Sequence, residues 1–300
     1  MSARAGAAPL AVRESMRGYG LLGITALVWG FNWTVSKFLL TELPPFALRG
    51  WAGMVGAGLL FAIAALRGER IMPPPGQWRR LAVSGFLNFT CWMGLASLAL
   101  LWLPAGEAAI IAYTLPIWTA LFAWPMLGER PTAPRLAGLV LGLSGVAVLV
   151  AGEPIALAWD RMPGVAAMLA GAIAFALGTV LAKRAPSNLP PMAGVAWQVL
   201  IGAIPLLLLG LITEHADFGA LTPLGWGAFC YMGLIAMSLA YVCWFGALRR
   251  LPASTASIGA LLVPVIAVFA AAAVLGEPLG PREGIALLLT LSGILLAARA

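Results

Sequence analysis

Charge is what this 300-residue chain has least of: 10% of its residues are Asp, Glu, Lys or Arg. A water-soluble fold carries about a quarter, so a soluble domain is excluded. The only histidine is His215, and the three cysteines, Cys91, Cys230 and Cys243, sit inside apolar runs without metal-type spacing. The thiols read as small buried hydrophobes. No Ser/His/Asp set, His-Glu-x-x-His, Walker loop or pair of acids within an apolar run can be found. No enzymatic activity, metal or cofactor is therefore expected, nor a pump that hydrolyses ATP with this chain alone.

What the chain does contain is apolar surface, 62% hydrophobic residues at a mean hydropathy of +0.97, together with 35 Gly, 22 Pro and 12 Trp. Lipid solvates such a composition, and Gly, Pro and Trp are all at home in polytopic helical membrane proteins. Apolar stretches of ~20 residues without alternation exclude a β-barrel. The net charge of +7 comes from bases placed singly or in pairs between apolar runs, which points to membrane topology and away from nucleic acid.

The chain repeats itself at a constant offset of 148 positions. Pro104, Pro116, Leu127, Gly128, Glu129, Leu143, Ser144 and Gly145 fall on Pro252, Pro264, Leu275, Gly276, Glu277, Leu291, Ser292 and Gly293. Gly23, Gly30, Trp78 and Gly85 fall on Gly171, Gly178, Trp226 and Gly233. Two tandem units follow, residues 17–152 and 153–300, after a flexible cytosolic tail at 1–16. Breaks such as Pro44-Pro45, Pro73-Pro74-Pro75-Gly76 and Gly280-Pro281 predict ten spans, about 18–39, 46–66, 79–101, 105–125, 133–151, 163–183, 191–213, 222–247, 253–274 and 282–298.

Fourteen of the eighteen bases lie in the segments that are cytoplasmic if both termini are inside; Lys37, Arg49, Arg161 and Arg282 fall outside or near outer helix ends. An odd number of helices per unit turns the second copy upside down. The loops agree: Arg67, Arg70, Arg79 and Arg80 in the first unit are answered by Glu214, His215 and Asp217 in the second. Inverted repeats of this kind are a plan of secondary transporters, with the substrate held between the halves.

Candidate site residues follow from polar and aromatic positions at helical spacing. Thr25, Trp29, Asn32, Trp33 and Ser36 share a face of the first helix, and Ser84, Asn88, Cys91, Trp92 and Leu95 a face of the third. Tyr113 and Trp118 flank Pro116 on the fourth, and Ser238 and Tyr241 mark the eighth. Singly, each amide reads equally as an interhelical hydrogen bond and each Trp as an interfacial anchor. Together they predict a weakly charged cavity for a small amphipathic molecule with a flat apolar group. Pro116 and Pro264 read as mid-helix kinks, static or acting as paired gate hinges. Glu107 reads as a helix N-terminal carboxylate or a contact for substrate or proton. Lys37 reads as snorkelling or as a contact for a substrate carboxylate or a gate. Glu129 and Glu277 read as topological or gating partners of nearby Arg. Gly138-x-x-x-Gly142 suits either a neighbouring helix or a second protomer, with a monomer slightly favoured.

These residues resemble the drug/metabolite transporter superfamily, and specifically its EamA-type members, over about residues 18–298. The shared marks are Trp29-Gly30 followed by Lys37, the repeated Leu-x-Pro turns, the prolines and the doubled Leu-Gly-Glu. Within that superfamily the chain looks like exporters of aromatic amino acids. The resemblance implies a basket-like fold of ten helices, alternating access, a bacterial inner-membrane location and export of amino acids, with methyl viologen as a further cargo. A related carrier of cationic drugs, nucleosides or other metabolites is the alternative. The wall is expected from Asn32, Trp33, Asn88, Trp92, Tyr113, Trp118, Thr179, Ser238 and Tyr241. Trp29 is answered by Leu177, so the halves need not be functionally equal.

Overall fold

The computed structural model describes residues 3–128, 132–151, 155–251 and 259–298. Ten long helical elements, a short 3-10 turn at Phe218–Ala220 and no strand occur among them. They are α1 Ala3–Leu39, α2 Pro45–Leu66, α3 Trp78–Trp102, α4 Ala105–Leu127, α5 Ala133–Ala151, α6 Ile155–Arg184, α7 Pro191–Thr213, α8 Pro223–Leu248, α9 Leu262–Leu275 and α10 Pro281–Ala298. Six of them, α2, α3, α4, α6, α7 and α8, are long and apolar enough to cross a membrane. Asn32, Thr34, Ser36 and Lys37 dilute the apolar character of α1. The predicted boundaries agree within a few residues except at the starts of α1 and α6, and the expected start of the ninth span at 253 lies outside the described residues. The segment expected as a flexible tail is helical from Ala3 and continuous with α1. α6 starts at Ile155 and carries Pro163 within it, eight residues before the predicted start.

Local chemistry sets the ends. Pro45, Pro191 and Pro223 open α2, α7 and α8 from the first turn, where a missing N–H leaves no hydrogen bond unmade. Gly128 and Gly276, at φ 75° and 67°, end α4 and α9 in the left-handed conformation that favours glycine. A π-helical segment interrupts α3 at Phe86–Cys91 and α8 at Tyr231–Leu239. α4 breaks at Tyr113-Thr114, and Leu261 forms the turn before α9. Each of these pairs sits at or near the 148-residue offset.

That correction bears on the prolines. Pro116 and Pro264 do not kink continuous helices; each lies in the first turn of a helical segment just after a break. The discontinuity is in the backbone before them, and the ring stabilises the restart.

Packing follows the same symmetry. α1 packs on α8 and α9, and its counterpart α6 on α3 and α4. α2 lies against α7, and α5 against α10. Bare glycines set the approach: a Cβ at Gly145 would lie 2.5 Å from Thr290 Oγ1, and one at Gly293 2.5 Å from the Gly138 carbonyl. The Gly138-x-x-x-Gly142 stripe is therefore spent inside the chain, on α10. One apolar cluster centres on α2 and α7 with Leu48, Leu60, Met192 and Leu206, and another on α3, α4 and α6 with Leu100, Ile110, Ile111 and Met168. Large apolar side chains such as Phe31, Leu209, Ile212, Phe269 and Leu288 remain exposed, as on a protein solvated by lipid.

Acids tie helix starts to distant segments. Glu214 accepts from the Phe46 and Ala47 N–H groups at 3.1 and 2.8 Å, capping α2. Glu69 accepts from Ala193 N–H at 3.0 Å, capping α7. Glu277 accepts from Ala105 and Gly106 at 2.6 and 3.0 Å, capping α4. Glu277 was expected beside an arginine; its carboxylate is taken by backbone N–H groups instead, because the left-handed Gly276 turns the chain toward the α4 N-terminus. Glu129 lies outside the described residues.

Candidate functional site

A cavity of about 750 Å³ runs between the helices. Its lining includes the buried Ser36 and Arg49, and Leu39, Leu43, Leu48, Leu100 and Leu103, on or beside α1–α3, are likewise buried. The lining also reaches Leu127 and the exposed Lys183. Two aromatic groups wall the middle. Trp29 packs on Tyr241 and Trp244 with ring centres 5.4 and 5.7 Å apart. Trp92 packs on Phe175 at 5.1 Å and meets Trp33 edge-on at 6.4 Å. Trp29 Nε1 donates to the Ala236 carbonyl, which fixes its ring against α8. Trp92 follows the π segment of α3, and Tyr241 that of α8; an inserted residue re-aims the side chains after it.

Six of the nine expected wall residues need separating from three. Asn32, Trp33, Trp92, Tyr113, Thr179 and Tyr241 line the cavity, as does Pro116. Asn88 does not: its Nδ2 donates to Gln198 Oε1 at 3.3 Å, joining α3 to α7, and its Oδ1 lies over Gly178. Ser238 is fully buried with its hydroxyl 3.1 Å from the carbonyls of Gly56 and Gly233, where it serves the loosened backbone of the π segment. Trp118 donates to Thr114 Oγ1 at 3.2 Å beside the break in α4. Pro264 is buried in α9 away from the lining.

Both candidate charge contacts also lie outside the lining. Lys37 Nζ donates to the carbonyls of Leu100 and Leu103, the second at 2.9 Å, and so caps the C-terminus of α3. Glu107, 4% exposed, accepts from Arg161 at 3.2 Å and from Arg282 at 3.0 Å. Arg282 in turn reaches Glu283 at 2.9 Å. The acid thus closes an ion cluster that joins α4, α6 and α10.

The residue that sequence reasoning missed is Arg49. Counted among bases near an outer helix end, it is 3% exposed and lines the cavity. Nε donates to Ser97 Oγ at 2.6 Å, Nη2 to Ser36 Oγ at 2.9 Å and Nη1 to Met232 Sδ at 3.5 Å. Its position, the fifth residue of α2, hid it, since loop-proximal bases are ordinarily topology signals. The signal available was Ser36 on the predicted polar face of α1. None of the described residues lining the cavity is Asp or Glu.

A bundle of apolar helices around a central aromatic cavity is the architecture of a multi-pass membrane protein. The chain belongs to the EamA-like transporter family, whose model matches twice, at residues 16–151 and 162–299. It is 32% identical over 262 residues to the uncharacterized transporter YvbV of Bacillus subtilis, covering 86% of this chain and 84% of that one. It is 27% identical to a probable amino-acid metabolite efflux pump of Salmonella typhimurium, over 90% of this chain and 91% of the other. The uncharacterized inner membrane transporter YedA of Escherichia coli is 25% identical over 92% of this chain and 88% of its own. A crystal structure of a protein 23% identical shares the fold at a TM-score of 0.68, covering 92% of this chain and 95% of that one. The family and these relatives are transporters, not enzymes.

Proposed function

We propose that this chain is a secondary transporter that exports amino acids, aromatic and other large apolar ones above all, across the bacterial inner membrane. The two units, 17–152 and 153–300, act as inverted repeats of five spans each, with both termini cytoplasmic, and rock about the central cavity. The observation that carries this reading is the cavity itself, whose aromatic walls suit a flat apolar side chain and whose volume is ample for one amino acid. The printed function of the Salmonella relative agrees with it.

With the termini inside, the open end bearing Lys183 faces the cytoplasm and the leucine-packed end faces outward. That is the loading state of an exporter. The described lining of the cavity offers no carboxylate for a coupling proton, and Glu107 is held in its arginine cluster, so facilitated movement down a gradient is the mechanism we favour.

The test is counterflow in proteoliposomes loaded with unlabelled phenylalanine. Saturable uptake of labelled phenylalanine, competed by tryptophan and leucine but not by a nucleoside, is the expected result. Uptake of a nucleoside in preference to every amino acid would overturn the reading.

A further inference from the structure

We infer that Arg49 and Asn32 form a binding site for the carboxylate and ammonium groups of a zwitterion, and that Arg49 makes a carboxylate obligatory in the cargo. The inference rests on the transporter reading above and names the chemistry that selects its cargo.

Arg49 is a buried guanidinium in the lining of the cavity, with no acid among its described contacts. Its three hydrogen bonds go to two hydroxyls and a thioether, on Ser36, Ser97 and Met232. Those partners orient the group without neutralising it. They also leave one N–H on each terminal nitrogen unused, the pair with which arginine engages the two oxygens of a carboxylate. An unneutralised buried cation is costly, so the site gains most from a ligand that brings a negative charge.

Asn32 completes the match. Its Oδ1 is buried and has no hydrogen-bond partner, and the residue lines the same cavity. Asn32 lies one turn before Ser36 on α1, ~6 Å along the axis. A carboxylate held by Arg49 therefore presents its α-ammonium toward an acceptor that wants a donor. The side chain is then directed along the cavity toward Trp33 and Trp92, which meet at 6.4 Å. Methyl viologen, a flat dication, would stack on the same rings but meet Arg49 with like charge and find no acid in the described lining.

The experiment uses the purified full chain in liposomes and a ligand series in competition with labelled phenylalanine: 3-phenylpropionate, phenylethylamine and methyl viologen. The wild type is expected to be inhibited by 3-phenylpropionate and not by the two compounds that lack a carboxylate. Arg49→Gln should raise KM for phenylalanine on the order of 100-fold and erase the preference for 3-phenylpropionate over phenylethylamine. Arg49→Lys, which keeps the charge and loses the fork, should retain that preference at reduced affinity. A merely structural arginine would lower protein yield or stability without changing the ranking of ligands. Equal inhibition of the wild type by phenylethylamine and phenylalanine would overturn the inference while leaving an amino-acid carrier. Transport of 3-phenylpropionate without any amino acid would overturn the carrier reading while supporting the role of Arg49. The absence of any saturable movement would overturn both.

Discussion

Arg49 and Glu107 are both buried charges, and the molecule answers them differently. Glu107 is met by two arginines, whereas Arg49 is met by hydroxyls and a cavity. Glu107→Gln should therefore act on stability, with a loss of about 3 kcal/mol because the carboxylate that links Arg161 to Arg282 is gone; thermal unfolding in detergent measures it. The same variant should leave the dependence of transport on a pH gradient unchanged, and a lost gradient response would make Glu107 a proton site after all. Trp92→Ala removes a wall of the cavity and should raise KM for phenylalanine by about tenfold or more, read by counterflow. At the α1 tail, hydrogen bonds from Arg17 and then Arg250 hold the Glu14 carboxyl below its ordinary value of 4.5. A depressed carboxylate contributes above its unfolded value and loses that contribution as the pH falls through its folded one. The clasp between α1 and the end of α8 should thus persist at pH 5 and release only in stronger acid, which limited proteolysis of the tail would detect. The aromatic lining was legible from helical spacing because a polar or aromatic face recurs every three or four residues. Arg49 was not, because its meaning depends on Ser36 and Ser97 arriving from other helices.

Among the elements, glycine spacing carries the most testable detail. Gly23 has open space where a Cβ would go, while a Cβ at Gly30 would lie 2.6 Å from Ile266 Cβ on α9. Gly23→Ala should be neutral and Gly30→Ala should cost about 1–3 kcal/mol, a contrast that paired melting curves would test. Helix ends were readable from Pro and Gly, whose effects are local. The π segments were not, since they arise where Thr90 and Ser238 reach the backbone of α7 and α2. The doubled Leu-Gly-Glu motif was visible as a pattern, but the destination of Glu277 required the fold. The turn at Leu103-Pro104 is gripped from both sides, by Lys37 on the carbonyls ending α3 and by Glu277 on the N–H groups starting α4.

For the whole molecule, in the carrier mechanism proposed above, the grip on that turn is the closure of one end, while Thr179 and Lys183 are exposed at the other. A cysteine at Thr179 should be labelled by an impermeant maleimide from the cytoplasmic side in the absence of substrate. Lys37→Met should shift labelling at Leu103→Cys toward the periplasmic side, and unchanged labelling there would show that Lys37 holds no gate. The offset of 148 residues paired Pro116 with Pro264 and Gly128 with Gly276, since covalent pattern carries them, but the prolines read as kinks where the backbone in fact breaks before them. The answer of Leu177 to Trp29 already showed the halves to be unequal, but not that Phe175 of α6 would complete the wall with Trp92.

The acids that cap distant helices also say something about biosynthesis. α2 emerges from the ribosome early, yet Glu214, which satisfies its first N–H groups, is made about 170 residues later, and Glu69 in turn waits for Ala193. The first half of the newborn chain is therefore a set of inserted helices awaiting partners, with the glycine faces of α2 and α5 open until α7 and α10 arrive. A ribosome stalled midway would release a product with sticky faces and unmet helix ends, which quality-control proteases of the membrane should recognise and destroy.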